Sequence, residues 1–222
     1  MNRLRGQRCY LVGAIDKCPD RGVTWRDEIG AELKKRGVKV FNPLTKPVIG
    51  SVENLSLLPE RRIQKALANY EYVRREMKAI RHEDLRTCDR ADFAVVYFDM
   101  DVQPCGTFEE LFTLNRSKKP CLVLCKQGVS ELYDWLFGVL PLKHLFGTKK
   151  DLLSYLDWVD SGEDFADDTD RWIFWDEEWE EHAWIDKVVE FLSGRFCDDC
   201  DGTFSRGHLL DEYERIYGKA SC

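Results

Sequence analysis

The chain of 222 residues has no apolar run near the length of about 20 residues that crosses a membrane, so we expect no membrane partner. It has no excess of basic residues, and its net charge of -7 argues against a nucleic-acid partner. The basic first eight residues lack the apolar stretch of a signal peptide. Internal repeats and low-complexity tracts are also absent from the sequence. We therefore predict a cytoplasmic protein with one core of ordinary domain size.

The nine cysteines lack the two close pairs that are typical of a zinc site. Cys197 and Cys200 have metal-like spacing, and His208 and Cys222 could complete a set of four ligands. The count is odd, however, and a chain of this size needs no disulfide scaffold. We interpret the cysteines as reduced, unligated thiols and predict neither a metal nor an organic cofactor.

Apolar runs alternate with helical segments along the first 157 residues. This alternation predicts a three-layer, flavodoxin-like α/β fold with a five-stranded, mainly parallel sheet. The predicted strands are 8–13, 38–41, 91–98, 121–125 and 142–146, and the predicted helices are 24–33, 60–81, 107–117 and 148–157. Thr24 and Asp27 have the spacing of a capping box at the start of the first helix.

The composition changes after residue 157. Residues 157–181 contain twelve acidic side chains, and five of the seven tryptophans lie between 158 and 184. This segment is too aromatic for a disordered acidic linker. We predict a catalytic domain over 1–157 and an acidic, Trp-rich extension over 158–222 that packs on the core or on another subunit.

The most informative stretch is 99–111, which follows the third predicted strand. Asp99 and Asp101 come at the carboxyl end of that strand, and Glu109 and Glu110 fall in the first turn of the next helix. Ligands of open parallel sheets bind at that edge. Carboxylates gathered there indicate chemistry on an electron-poor carbon, such as the anomeric carbon of a sugar.

Each of these carboxylates also has a structural interpretation. Thr107 and Glu110 have capping-box spacing, in which the glutamate only satisfies backbone donors. Asp99 and Asp101 are also explained as polar residues that only mark the end of a strand. Asp84 is also compatible with a structural role in a salt bridge, because two arginines lie close to it in the sequence.

Several short motifs occur in one order, and together they resemble the nucleoside 2-deoxyribosyltransferase family and its nucleotide N-glycosidase relatives. The motifs are Tyr10-Leu-Val-Gly13, Phe41-Asn-Pro43, Asp84-Leu85, Ala91-Asp92 and Gly106-Thr-Phe-Glu-Glu-Leu111. The likeness covers about residues 8–157. Trp25-Arg26 and Asp84-Leu-Arg86 resemble the phage-encoded members.

The resemblance implies that Glu110, directly before Leu111, is the nucleophile and that Asp84 belongs to the catalytic pocket. Pro104 departs from the family, which often has an acidic residue there, and Asp99 or Asp101 could substitute for it. We place Asp101 with the catalytic residues. The predicted substrate-binding residues are Tyr10, Gly13, Asn42, Asp99, Gly106 and Thr107.

The implied reaction cleaves the N-glycosidic bond of a nucleoside or nucleotide and passes the sugar to a free nucleobase or to water. The resemblance also implies a homo-oligomer, at least a dimer. A substrate monophosphate would need a basic pocket, for which the candidates are Arg26, Arg62, Arg74 and Arg86, with Ser117 weaker. The basic segment 60–81, which includes Arg61 and Arg81, favours a solvated face, and the alternative is that one or two of its arginines meet a phosphate. The alternative for the whole chain is a nucleotide-sensing or partner-binding protein without catalysis.

Overall fold

The computed structural model describes residues 2–45, 58–162 and 171–172. Strands and helices alternate through most of this part of the chain. The strands are β1 Arg8–Gly13, β2 Lys39–Phe41, β3 Phe93–Phe98, β4 Cys121–Cys125 and β5 Leu145–Phe146. The helices are α1 Val23–Lys35, α2 Leu58–Ala66, α3 Tyr70–Arg90, α4 Cys105–Arg116, α5 Asp134–Val139 and α6 Lys149–Ser161.

The five strands form one sheet in the order β2-β1-β3-β4-β5, and every pair is parallel. Tyr10 pairs with Ala94, and Val96 pairs with Val123, so the apolar centres of β1, β3 and β4 lie side by side. These strands are buried on both faces, which explains their continuous apolar runs. The predicted flavodoxin-like sheet is confirmed.

Two apolar layers cover the sheet, one on each face. The first contains side chains of α1 and α6, such as Ile29 and Leu156, packed on Phe93. The second contains side chains of α3, α4 and α5, such as Leu111 and Leu136. The three-layer prediction is therefore confirmed.

The first helix begins differently from its prediction. Asp20, not Thr24, accepts hydrogen bonds from the first backbone amides, those of Gly22 and Thr24, at 2.9 and 3.0 Å. Gly22 has a φ of 70°, and a Cβ at that position would lie 2.3 Å from Nη1 of Arg26. The glycine is required by this close approach as well as by its left-handed backbone.

Three other boundaries differ from the sequence predictions. The segment 60–81 is two helices, because Ala68 adopts a φ of 57° and Asn69 caps the backbone of α3 at Tyr72. The fifth strand is only two residues long, since a turn of 3-10 helix occupies Leu142–His144 after Pro141. Helix α6 continues past residue 157 to Ser161.

Part of the predicted extension lies within the described residues. The ring of Trp172 packs 5.0 Å from that of Phe93, in the first apolar layer. Residues 163–170 and 173–222 lie outside the described residues, as do Cys197, Cys200, His208 and Cys222. Among the described helices, none has the length and apolarity that a bilayer crossing requires.

Candidate active site

A cavity of about 370 Å³ lies at the carboxyl ends of β1 and β3. Its walls come from the loop after β1, from one face of α3, and from the start of α4. This is the point where the strand order reverses around β1, which is where open parallel sheets bind ligands. The volume falls in the range of small-molecule pockets.

Three of the predicted site residues meet inside this cavity. The hydroxyl oxygen of Tyr10 lies 2.9 Å from Oδ1 of Asp84 and 2.7 Å from Oε1 of Glu110. Tyr10 comes from β1, Asp84 from α3 and Glu110 from α4. Asp84 is 9% exposed, and all three residues line the cavity.

The Tyr10 hydroxyl has one proton, so it can donate to only one of the two carboxyl groups at a time. Burial, followed by the charges of Glu110 and Asp84, raises the pKa of Tyr10 well above its ordinary value. The phenol therefore stays protonated at neutral pH and bridges the two carboxyl groups.

The structure contradicts the capping-box interpretation of Glu110. Helix α4 begins at Cys105 after Pro104, so Thr107 is the third helical residue and not the cap. Thr107 is buried, and Glu110 lies a further turn along, where its carboxylate contacts Tyr10. Its carboxylate is turned to the cavity and not to the helix end.

The neighbouring Glu109 has a different environment. Two nitrogen atoms of Arg81, Nε and Nη2, bind the Glu109 carboxylate in a two-pronged ion pair. This hydrogen bonding lowers the pKa of Glu109. Glu109 is thus held as an ionised carboxylate at the rim, whereas Glu110 faces an uncharged hydroxyl.

Gly13, Gly106 and Thr107 line the cavity, as Tyr10 does. A Cβ on Gly13 would lie 2.8 Å from the Trp25 ring and 3.1 Å from the carbonyl oxygen of Tyr97. Packing beneath the cavity floor therefore requires glycine at residue 13. A Cβ on Gly106 would meet no atom within 4 Å.

Asn42 does not line the main cavity. Its side chain accepts a hydrogen bond from the amide of Leu44 at 3.0 Å, and it lines an adjoining cavity of about 180 Å³. Tyr10 and Pro43 line both cavities, so the smaller one borders the site.

Asp99 and Asp101 do not line the main cavity either. Asp99 binds Nζ of Lys126 at 2.8 Å and Nε2 of Gln127 at 2.7 Å. Gln127 also donates to Asp101 at 3.2 Å. Although burial opposes it, hydrogen bonding from Lys126 and Gln127 lowers the pKa of Asp99. The structure gives both aspartates partners on the loop after β4, away from Glu110.

None of the arginines predicted for a phosphate lines the cavity. Arg26 is fully buried, and its guanidinium donates to the carbonyl oxygens of Gly13 and Gly22 at 2.7 and 2.9 Å. Arg74 and Arg86 pair with glutamates of their own helix, and Ser117 donates to the carbonyl of Thr113. Arg26 thus ties the loop after β1 to the start of α1.

Sequence reasoning did not assign Lys17, Lys65 and Met77 to the site, although all three line the cavity, as does Arg81 of the basic segment 60–81. Lys17 donates to the side chain of Gln103 at 3.0 Å and so links the loops after β1 and β3. Lys65 lies four residues after Arg61, on the same face of α2. The helical spacing of Arg61 and Lys65 predicts that they share one face of α2. It does not predict that this face meets the loop after β1.

Within the described ranges, no group of three or more histidine, cysteine or acidic side chains could hold a metal ion. Six described cysteines are free thiols, and Cys9, Cys121 and Cys125 are buried in strands.

No protein-family model matches the chain, and no curated protein matches it either. Among solved structures, it is similar to a CMP N-glycosidase from Clostridium botulinum, at 17% identity and a TM-score of 0.39, over 68% of this chain and 99% of that one. It is also similar to a 2-deoxyribosyltransferase from Leishmania mexicana, at 18% identity and a TM-score of 0.42, over 68% of this chain and 96% of that one. Both proteins are of the class that the sequence motifs resemble.

Proposed function

We propose that the protein is an enzyme that cleaves the N-glycosidic bond of a nucleoside or nucleotide through a glutamate nucleophile. The observation that supports this most directly is the placement of Asp84 and Glu110 on either side of one protonated tyrosine in a cavity. The order of motifs that contains these residues supports the same reaction.

The spacing of the carboxyl groups favours a covalent intermediate. Both contacting oxygens lie within 2.9 Å of the phenolic oxygen, so they are less than about 6 Å apart. Retaining glycosidases place their two carboxyl groups about 5–5.5 Å apart, whereas inverting enzymes need about 6.5–9.5 Å to admit water. The separation of the contacting oxygens is below the inverting range, which supports the retaining arrangement.

In the proposed first step, a carboxylate oxygen of Glu110 bonds to the anomeric carbon as the bond from that carbon to the base breaks. The bonding electron pair leaves with the base nitrogen, and the carboxyl group of Asp84 supplies its proton. Tyr10 keeps the two carboxyl groups apart and holds Glu110 through a hydrogen bond. Ionised Glu109, bound by Arg81, takes no part in the bond making.

In the second step, the acceptor attacks the anomeric carbon of the glycosyl ester and releases the Glu110 carboxylate. A nitrogen of a second base gives transfer, and a water molecule gives hydrolysis; each loses its proton to Asp84. A site that excludes water while the bases exchange favours transfer over hydrolysis. The resemblance covers both outcomes, and so does our proposal.

The test is a chromatographic assay with purified protein. Deoxynucleosides, ribonucleosides and their 5′-monophosphates are each incubated with and without a second free base. New nucleoside that forms only with the added base identifies a transferase, and base released without an acceptor identifies an N-glycosidase. Mass spectrometry of the quenched protein should find the sugar on the peptide that contains Glu110. Absence of turnover on every substrate would reject the proposal and favour a binding protein.

A further inference from the structure

The cavity also carries a cluster of cations that the cleavage chemistry does not use. Lys17 and Lys65 line the cavity, and Arg61 lies directly behind Asp16 and Met77, which line it. The cations come from the loop after β1 and from α2, whereas the reacting carboxyl groups come from α3 and α4.

Arg61 is buried, but its guanidinium has few hydrogen-bond acceptors among the described residues. Its side chain is 7% exposed, yet among the described residues the partner of Nη1 is the sulfur of Met77, at 3.2 Å. Nη2 lies 3.6 Å from Oδ1 of the exposed Asp16. A thioether is a weak acceptor, and a guanidinium has five N–H groups to satisfy. Burial of a charged group with so few acceptors is costly, so the position favours an additional anion.

The two lysines add to this imbalance. Lys17 contacts the neutral amide of Gln103, and no described carboxylate forms an ion pair with Lys65. Arg81, the other cation in the lining, is taken by Glu109. Lys65 and Lys17 therefore lie in the cavity lining with Arg61 directly behind it, and the one described carboxylate that pairs with any of the three is that of the exposed Asp16.

We infer that Arg61, Lys65 and Lys17 bind the phosphate of a nucleoside 5′-monophosphate, so that the substrate is a nucleotide. A phosphate monoester carries about -1.5 to -2 charges at neutral pH and accepts several charge-assisted hydrogen bonds. Arginine suits the phosphate geometry, and the lysines add charge. The identity of the rest of the substrate rests on the proposed function.

The test compares kcat/KM for a deoxynucleoside 5′-monophosphate with kcat/KM for the same deoxynucleoside. The wild-type protein should prefer the monophosphate by about 10- to 100-fold, the range expected of charge-assisted hydrogen bonds. Arg61→Met and Lys65→Met should each reduce that ratio about tenfold or more. Arg62→Met is the matched control, because Arg62 is adjacent in α2 but exposed to solvent, whereas Arg61 is buried directly behind the cavity lining. It should keep the wild-type ratio.

Equal kcat/KM values for the two substrates in the wild-type protein would overturn the inference. An equal fall in the ratio for Arg62→Met would overturn it too, because the effect would then be one of general charge. Thermal unfolding identifies any loss of fold in Arg61→Met, and Lys65→Met, at an exposed residue, keeps the test decisive.

Free inorganic phosphate is the other ligand that this cationic cluster could bind, in place of the phosphate group of a nucleotide. If added phosphate accelerates cleavage of the deoxynucleoside and a sugar phosphate appears, the anion is an acceptor and the nucleotide assignment is wrong. No acceleration supports the assignment.

A binding measurement separates this inference from the proposed function. If neither substrate is turned over, calorimetry with the wild-type protein compares the two as ligands. Monophosphate binding at least tenfold tighter than nucleoside binding, and weakened by Lys65→Met, would support the phosphate site although the proposed function had failed. Equal affinities would overturn both.

Discussion

Two groups of carboxylates lie near the carboxyl end of this sheet, and their neighbours differ. Asp84 and Glu110 face the hydroxyl of Tyr10 in a cavity. Asp99 and Asp101 face Lys126 and Gln127 outside that cavity. Hydrogen bonds from Lys126 and Gln127 lower the pKa of Asp99 and stabilise its ionised form, whereas Asp84 and Glu110 meet at one hydroxyl inside the cavity. The carboxyl groups placed to face a bound sugar are therefore those of the first group.

The largest expected effect is that of Glu110→Ala. Without the nucleophile, kcat for base release should fall by roughly 10³-fold or more, measured by chromatography of the freed base. Glu109→Ala is the matched control, since it removes the adjacent carboxylate that Arg81 already holds. Its kcat should change by less than about fivefold. Comparable losses in the two variants would contradict the assignment of Glu110.

The next largest effect should come from Asp84→Asn, which removes the proposed proton donor. We expect kcat to fall about 10²- to 10⁴-fold for an ordinary nucleobase. A 7-methylpurine leaves without needing a proton, so the loss on that substrate should be much smaller. Asp89→Asn, at an exposed position of the same helix, is the control. Equal losses on both bases would show that Asp84 does not act as the acid.

Tyr10→Phe tests the difference between the two groups of carboxylates, because it removes the hydroxyl that Asp84 and Glu110 both contact. The buried Asp84 and the half-buried Glu110 then lose their common partner, and the free energy of unfolding should fall by about 1–3 kcal/mol. Urea unfolding at neutral pH measures this. Tyr97→Phe removes a hydroxyl from the neighbouring strand and should change the free energy by less than about 0.5 kcal/mol. A similar value for both variants would argue against the bridging role of the Tyr10 hydroxyl.

The smallest effect should be that of Asp99→Asn. The pKa of Asp99 is lowered in the folded state, so its ionised form stabilises the fold at neutral pH. That contribution is lost as the pH falls through the folded pKa, below about 4. The variant should be less stable than wild type by about 0.2–1 kcal/mol at pH 7 and equal to it in acid. Base release should be unchanged within about twofold, and a large loss would return Asp99 to the site.

The fold was largely predictable, because each strand and helix has its own local pattern. The apolar runs of β1, β3 and β4 indicate strands buried on both faces, and alternation with helices indicates a parallel sheet. Boundaries were less predictable where polar side chains compete for the backbone. Asp20 replaced Thr24 at the start of α1, and Asn69 divided the segment 60–81.

The candidate site was predictable only in part. The motifs identified Tyr10, Asp84 and Glu110, which the structure brings together. Asp99 and Asp101 were added because they follow the third predicted strand, and that position does not reveal which loop supplies a neighbouring lysine. The charge pattern of 60–81 favours a solvated surface, so it did not reveal that Lys65 of α2 lines the cavity.

The sequence by itself determined the α/β architecture, the order of the elements and the carboxylates available at the sheet edge. Hydrophobic period and turn residues act over a few positions, and they suffice for those features. The tertiary structure decided which carboxylates meet at the Tyr10 hydroxyl. Tyr10 is 74 positions from Asp84 and 100 from Glu110, and their contact depends on strand register and on the rotation of α3 and α4 against the sheet. No local pattern encodes a contact over that distance, because it forms only when the whole core packs.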